Sequence, residues 1–178
     1  MNHHDHVQLL KPADLEKSGS WADLGAGSGA FTLALREVLG PATKIHAVDK
    51  DKSSLEQLNQ AYQARFGSTE NLQTHVGDFS RTIDLPPLDG IIAANSLHYF
   101  KDRVKILQHI KSFLKPSGKL IVIEYNVDSG NPWVPYPFSF RTLGQLATQA
   151  GFKAPRLLAT HPSHFLREFY SALTFKAV

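Results

Sequence analysis

The sequence has no cysteine among its 178 residues. Structural disulfides, thiolate metal sites and cysteine nucleophiles are therefore excluded. The sequence also has no apolar run of the about 18 residues that a membrane-spanning helix requires, and its N-terminus has no apolar signal segment. We therefore expect a cytoplasmic protein without a membrane partner.

The chain also has no large excess of basic or of acidic residues. Basic residues number 19 and acidic residues 16, and the basic ones are scattered along the chain. Lys50 and Lys52, for example, alternate with Asp49 and Asp51. A nucleic-acid-binding surface needs clustered basic residues, so a nucleic-acid partner is disfavoured. The length predicts one domain over residues 1–178.

Apolar segments typical of strands and helices alternate along the chain. The predicted strands are residues 20–24, 44–48, 72–76, 88–94 and 120–125, and the predicted helices are 31–39, 53–66, 104–114 and 142–150. A turn at 115–118 is expected before the fifth strand. The alternation predicts an α/β fold with a parallel sheet and right-handed crossovers. Two final strands, 156–160 and 169–175, are joined too closely for a parallel crossover, so we expect them to be antiparallel to each other.

Glycines are concentrated between the first strand and the first helix, in residues 23–31 (DLGAGSGAF). Gly25, Gly27 and Gly29 lack a Cβ atom, so the backbone can turn tightly there and approach a ligand closely. The helix that follows offers free N–H groups at its N-terminus. This strand–turn–helix arrangement predicts a nucleotide-type ligand.

Acidic residues follow the second and third predicted strands. Asp49 comes 20 residues after Gly29, and a carboxylate there can accept both hydroxyls of a ribose, in NAD as well as in other adenosyl cofactors. Gly77-Asp78-Phe79 follows the third strand. Asp78 can accept an adenine amino group and Phe79 can pack on the ring; a simple turn is the alternative interpretation of this triplet.

Together these segments resemble the class I S-adenosylmethionine-dependent methyltransferases, from about Ser20 to the C-terminus. The resemblance implies S-adenosylmethionine as cofactor and S-adenosylhomocysteine as product. It also implies a Rossmann-like three-layer sandwich whose doubly wound, mostly parallel seven-stranded sheet has the order 3-2-1-4-5-7-6, with strand 7 antiparallel. The cofactor-binding residues that we predict are Asp23, Gly25, Ala26, Gly27, Ser28, Gly29, Phe31, Asp49, Lys50, Gly77, Asp78, Phe79, Asn95 and Ser96.

The segment Asn95-Ser96-Leu97-His98-Tyr99 follows the fourth strand. In related enzymes with small-molecule acceptors this loop passes beside the cofactor sulfur, so His98 is the candidate catalytic residue, as a general base or as a contact to the acceptor. A capping or surface histidine is the alternative. A base is needed only where the acceptor loses a proton, because alignment can supply much of the catalysis. The loop lacks the Asn/Asp-Pro-Pro-aromatic motif of amino-directed nucleic-acid methyltransferases, which disfavours that class.

Prolines and aromatic residues alternate in residues 126–140, after the fifth strand. A rigid aromatic loop at the mouth of a cofactor cleft predicts a wall for a small aromatic or apolar acceptor; a lid that only packs on the sheet edge is the alternative. Arg141, just beyond the loop, could meet an anionic acceptor. The candidate substrate-binding residues are Tyr99, Tyr125, Trp133, Tyr136, Phe138 and Arg141.

The N-terminus is rich in histidine, with His3, His4 and His6 beside Asp5. Such crowding at a terminus favours a mobile tail over a metal site, and we predict no metal. A further possibility is that residues 1–18 fold over the cofactor as a flap, anchored by two leucines at positions 9 and 10.

Two other functions compete with methyl transfer. An NAD-type oxidoreductase would explain the glycine motif and Asp49, but it leaves Gly77-Asp78-Phe79 and the antiparallel end unexplained. A non-catalytic scaffold or sensor could retain the cofactor fold, because fold and cofactor do not prove turnover.

Overall fold

Seven strands form one sheet in the computed structural model, which describes residues 1–177. The strand order β3-β2-β1-β4-β5-β7-β6 confirms the expected one, and β7 is antiparallel to both of its neighbours while the other pairs are parallel. The strands are β1 (Ser20–Leu24), β2 (Lys44–Asp49), β3 (Leu72–Val76), β4 (Leu88–Ala94), β5 (Leu114–Tyr125), β6 (Arg156–Pro162) and β7 (Glu168–Phe175).

Five α-helices cover the two faces of this sheet in residues 1–177. One buried apolar cluster joins the sheet to α1, α2 and α3, and a second joins it to α4 and α5, so the expected three layers are present. None of these helices combines the length and the apolar character needed to cross a membrane. The helices are α1 (His3–Leu10), α2 (Ala30–Leu39), α3 (Lys52–Phe66), α4 (Arg103–Ser112) and α5 (Phe140–Ala150), with short 3-10 turns at Lys11–Ala13 and Leu97–Tyr99.

The turn expected at residues 115–118 is instead an irregularity inside β5. Leu114 already pairs with Leu88 of β4, and the next pair joins Lys119 to Gly90, so β5 advances five residues while β4 advances two. The surplus residues bulge outward, and Ser117 takes a left-handed φ of 59° to allow it. The helix before it therefore ends at Ser112, earlier than its apolar pattern suggested.

The N-terminal segment forms a docked helix, so the expectation of a mobile tail is wrong. The Asn2 side chain accepts a hydrogen bond from the Asp5 N–H, and the Asp5 carboxylate accepts one from the Asn2 N–H, which caps α1 at its start. Leu9 and Leu10 are buried, as expected of anchors. The Ser171 hydroxyl of β7 also donates to the Leu9 carbonyl at 2.6 Å. α1 is thereby fixed to the sheet edge.

We expect Gly90→Ala to lower the free energy of unfolding by about 1–3 kcal/mol, because its Cβ would overlap the buried Trp21 ring and overpack the core. Gly144→Ala in α5 is the matched control. An added Cβ there meets nothing within 4 Å, so helix propensity should raise stability by about 0.5–1 kcal/mol. Urea unfolding of both variants measures the difference, and equal effects would contradict the packing at Gly90.

Candidate functional site

Two adjoining cavities open at the carboxyl ends of β1, β2, β3 and β4, where ligands bind in doubly wound sheets. The larger cavity has a volume of about 530 Å³ and the smaller one about 240 Å³, and both are bordered by Gly25 and Asn95. The larger is lined by Gly25, Asp49, Lys50, Gly77, Asp78, Phe79, Asn95, Ser96, Tyr99 and Phe100. The smaller is lined by Met1, His6, Asp23, Gly25, Ala26, Gly27, Ser28, Ala30, Phe31, Ala94 and Asn95.

The glycine loop, residues 25–29, is held to β2 by hydrogen bonds of its own backbone. The N–H groups of Gly25 and Ala26 both donate to the Val48 carbonyl, and the Gly27 N–H donates to Asp49 Oδ2 at 2.8 Å. Gly25 has a φ of 82°, and a Cβ there would lie 2.6 Å from Cβ of Ser96. Glycine at this position therefore permits both the turn and the close approach of the segment that follows β4, residues 95–99, which we call the β4 exit loop.

Asp49 and Asp78 both present carboxylate oxygens with free acceptor capacity. Each oxygen of Asp49 accepts one backbone N–H, from Gly27 or from Asp51, and retains a second lone pair. The Ser80 hydroxyl and N–H donate to Asp78 Oδ1 and lower the pKa of Asp78. Asp78 Oδ2 accepts no hydrogen bond within residues 1–177. Both acids therefore remain able to accept ligand hydroxyl or amino groups.

Asp23 is a buried acid at the smaller cavity, with only 1% of its surface exposed. Burial raises the pKa of Asp23 to about 7, the hydrogen bond from the Thr32 hydroxyl at 2.6 Å opposes this, and the charge of Asp49 adds to it. A cationic ligand group beside this carboxylate would favour its ionised form.

The β4 exit loop carries three buried polar atoms that find no hydrogen-bond partner within residues 1–177. They are Asn95 Oδ1, Ser96 Oγ and His98 Nε2. Buried polar atoms in folded proteins are nearly always paired. Asn95 and Ser96 line the cavities, so the unpaired atoms of these two side chains are available to a bound ligand. Asn95 also has a left-handed φ of 52°, as do few non-glycine residues, and backbone strain of this kind concentrates at functional sites.

His98 forms a buried pair with Glu124, a residue that the sequence analysis missed. His98 Nδ1 lies 2.8 Å from Glu124 Oε2, while Oε1 accepts the N–H groups of Leu97 and His98. Both side chains are almost fully buried. The signal that could have identified Glu124 is a single acid in the otherwise apolar run LIVIEY of β5. His98 is therefore neither a surface nor a capping residue.

The cavities gather every predicted cofactor-binding residue except Gly29. Gly29 lines neither cavity. It has a φ of 94°, and a Cβ there would lie 2.6 Å from Cγ of Leu58, so this glycine serves the packing of α2 against α3.

The predicted acceptor residues divide into four groups. Tyr99 lines the larger cavity and is 60% exposed, whereas Tyr136 and Arg141 are exposed away from both cavities. Phe138 lines neither cavity, and its ring is fully buried in the second core cluster. Its place in an aromatic, proline-rich stretch gave no sign of this burial.

The remaining two residues, Tyr125 and Trp133, belong to a row of aromatic rings that we call the aromatic strip. The Tyr125 ring lies 4.3 Å from that of Phe169 and 6.0 Å from that of Phe165, and Phe165 lies 6.5 Å from Trp133. Tyr125 also stands 6.3 Å from the His98 ring. Phe165 and Phe169 were missed because only the antiparallel return of β7 brings them beside β5.

Fold and cavities define an α/β protein of the class that binds adenosyl cofactors at the switch point of a doubly wound sheet. Residues 15–154 match the family model described as a methyltransferase domain. The chain belongs to this methyltransferase family. This family membership favours methyl transfer over an NAD-type oxidoreductase.

Known relatives match parts of their own length. The ribosomal protein L11 methyltransferase of Prochlorococcus marinus is 39% identical over 61 residues, which cover 34% of this chain and 19% of that protein. The O-methyltransferase resE of Aspergillus sclerotiorum is 28% identical over 114 residues, 62% of this chain and 41% of that protein. Human N-acetylserotonin methyltransferase in complex with S-adenosylmethionine superposes with a TM-score of 0.73 at 22% identity, over 98% of this chain and 52% of that one. The chain thus spans about half or less of these proteins.

We expect Asp23→Asn to stabilise the ligand-free protein, and more so at higher pH. The pKa of Asp23 is about 7 in the fold against an ordinary value of 3.8, so ionising it opposes folding progressively between these two values. The stability gain of the variant should grow by about 2 kcal/mol from about pH 5 to about pH 7.5. Urea unfolding at both pH values measures this, and a gain independent of pH would show that Asp23 ionises freely.

Proposed function

We propose that the protein transfers the methyl group of S-adenosylmethionine to a hydroxyl group on a small aromatic or apolar molecule. His98 acts as the general base and Glu124 positions it. The observation that carries this proposal is the buried His98–Glu124 pair, in which His98 Nε2 is left without a partner. The name of one relative, the O-methyltransferase resE, supports oxygen as the methylated atom.

The residues around the cavities fit the cofactor group by group. Asp49 would accept the ribose hydroxyls, Asp78 Oδ2 would accept the adenine amino group, and Phe79 would pack against the base. Asp23 and Asn95 Oδ1 would face the ammonium group in the smaller cavity. When bound, S-adenosylmethionine supplies an electrophilic methyl group on its sulfonium.

The hydrogen bonding of the His98–Glu124 pair suits the removal of a proton from an acceptor. With Glu124 ionised, Nδ1 of His98 carries the hydrogen that Oε2 accepts, and Nε2 keeps its lone pair. Nε2 takes the hydroxyl proton as the oxygen attacks, and Glu124 stabilises the imidazolium that forms. Two backbone N–H groups hold Oε1 of Glu124 in place, so the imidazole keeps one orientation.

Access to His98 depends on its neighbours, because the residue is only 2% exposed. The Tyr99 ring lies 4.3 Å from the imidazole and borders the larger cavity. The backbone N–H of Tyr136 donates to the His98 carbonyl, which ties the 126–140 loop to the same spot. Tyr99 is thus the neighbour of His98 that also lines the larger cavity.

The aromatic strip supports an aromatic or apolar acceptor. It runs from Tyr125, beside the His98 ring, to Phe165 and Trp133, which are 52% and 71% exposed. Exposed aromatic rings in contiguous contact mark a binding surface more often than an inert one. A planar acceptor lying along these rings would present its hydroxyl toward His98.

We expect His98→Gln and Glu124→Gln to lower kcat for simple phenols by roughly 100-fold or more, because proton removal is lost or misdirected. Methylation of an aromatic thiol, which is ionised near neutral pH without a base, should fall much less. Affinity for S-adenosylhomocysteine, measured by isothermal titration, should stay within about twofold, since neither side chain is needed to hold it.

His109→Gln is the matched control for these variants, because His109 is half-buried on α4, lines neither cavity, and its ring hydrogen-bonds to the Arg81 carbonyl. It should leave both acceptors unaffected. An equal loss with the phenols and the thiol would contradict the role of His98 as a base.

We expect Trp133→Ala and Phe165→Ala to raise KM for phenolic acceptors by roughly tenfold, as loss of an aromatic anchor does elsewhere. Leu157→Ala, at a comparably exposed apolar residue of β6, is the control and should change nothing. Steady-state kinetics and titration with S-adenosylhomocysteine separate the two ligands. A greater loss of cofactor than of acceptor affinity would make the 126–140 loop a cofactor lid instead.

A further inference from the structure

The N-terminal helix contributes a wall of the smaller cavity. His6 of α1 lines this cavity together with the glycine loop, and its ring lies 4.7 Å from that of Phe31. The other two histidines of α1 pair with Glu37 and with Gln8, whereas in residues 1–177 the His6 ring makes only the aromatic contact. His6 therefore keeps its hydrogen-bonding capacity for the cavity.

The glycine loop has few backbone donors left for an anion. The N–H groups of Gly25 and Ala26 are taken by Val48, that of Gly27 by Asp49, and that of Gly29 by the Ala26 carbonyl. An anionic group in this cavity would therefore meet few backbone donors, those of Ser28 and of the first turn of α2, and side-chain donors would add to them.

The polar side chains of the smaller cavity divide by charge. Asp23 and Asn95 Oδ1 offer acceptors, which suit an ammonium group. His6 is the one side chain among the described cavity residues that can carry a positive charge, while Ser28 offers a neutral hydroxyl donor and Met1 its α-amino group. Its position at Phe31 is also beside the first turn of α2, where Gly29 provides no side-chain cap. Helix N-termini favour anions. The possible positive charge of His6 and its position at the start of α2 therefore both favour a carboxylate group.

We propose that His6 binds the α-carboxylate of S-adenosylmethionine and of S-adenosylhomocysteine, which makes α1 part of the cofactor site. The inference depends on the cofactor and on no property of the acceptor. α1 can serve this purpose because Leu9 and Leu10 are buried and the Leu9 carbonyl accepts the Ser171 hydroxyl, which holds the helix in place.

The carboxylate would change the protonation of His6. Burial lowers the pKa of His6 in the ligand-free protein, so near neutral pH the ring is uncharged and donates one N–H. A carboxylate beside the ring would raise this pKa, and binding would then be tighter at lower pH. The titratable groups that face His6 are the α-amino group of Met1, His3 and Asp5 of the N-terminal segment, His161 of β6, and Asp23 across the cavity.

Two ligands that differ only in the carboxylate test the proposal. S-adenosyl-3-thiopropylamine is S-adenosylhomocysteine without that group, so the ratio of their dissociation constants reports the carboxylate alone. We expect the protein to prefer S-adenosylhomocysteine by roughly tenfold or more, as for a charge-assisted hydrogen bond. The preference should decline from about pH 5.5 to about pH 8 as His6 loses its proton. Both ligands keep the ammonium group, so the titration of Asp23 cancels in the ratio.

His6→Phe retains a ring to pack on Phe31, and we expect it to abolish most of the preference while leaving the affinity for S-adenosyl-3-thiopropylamine unchanged. His6→Gln, which keeps an N–H donor, should retain part of the preference without its pH dependence. His4→Phe, on the exposed side of the same helix, is the matched control and should behave as the unaltered protein.

Isothermal titration of the three variants with both ligands decides the matter. A preference unchanged in His6→Phe would overturn the proposal, and so would an equal loss for the two ligands, which would show that His6 only docks α1. If His6→Phe does not fold, His6→Gln carries the test, because Met1 lines the same cavity and its α-amino group can also carry a positive charge. A preference that keeps its full size and pH dependence in His6→Gln rejects the role of His6. Because neither ligand donates a methyl group, these results are independent of the proposed base and acceptor.

Discussion

The site depends on one feature of the sheet, the point between β1 and β4 where the order of the strands reverses. β1 pairs with β2 on one side and with β4 on the other, so the chain leaves these two central strands in opposite directions and opens a crevice at their carboxyl ends. The glycine loop and the β4 exit loop approach each other in that crevice, at Gly25 and Ser96, closely enough that a single Cβ atom would not fit. Both cavities open beside this contact.

Hydrogen bonding explains how such a crevice stays ordered. Val48 and Asp49 at the end of β2 satisfy the glycine loop, and Glu124 at the end of β5 satisfies the start of the β4 exit loop. Most backbone N–H groups of these two loops are thus engaged, while selected side-chain atoms are left unpaired. Hydrogen bonds of the backbone hold the two loops in place and leave ligand binding to side chains. Such preorganised side chains are what catalysis by alignment requires.

Much of the fold and of the cofactor site could be predicted from the sequence because both rest on local patterns. Strand and helix periodicity locates the elements, and Asp49 and Asp78 are recognisable because each directly follows a strand. The sequence is least informative where distant contacts overrule such patterns. Phe138 lies in a loop of acceptor-like composition yet is buried in the core, and Gly29 belongs to the glycine motif yet serves helix packing.

From β1 onward, the sequence by itself determined the order of strands and helices, the glycine loop and the two acids that follow β2 and β3, since each is set by residues that are neighbours in the chain. Only the tertiary structure decided that Glu124 meets His98, that Phe165 and Phe169 extend the row begun by Tyr125, and that His6 reaches the cavity. These contacts join residues from separate elements, and no periodicity along the chain encodes which elements lie side by side. Strand pairing and helix docking bring them together.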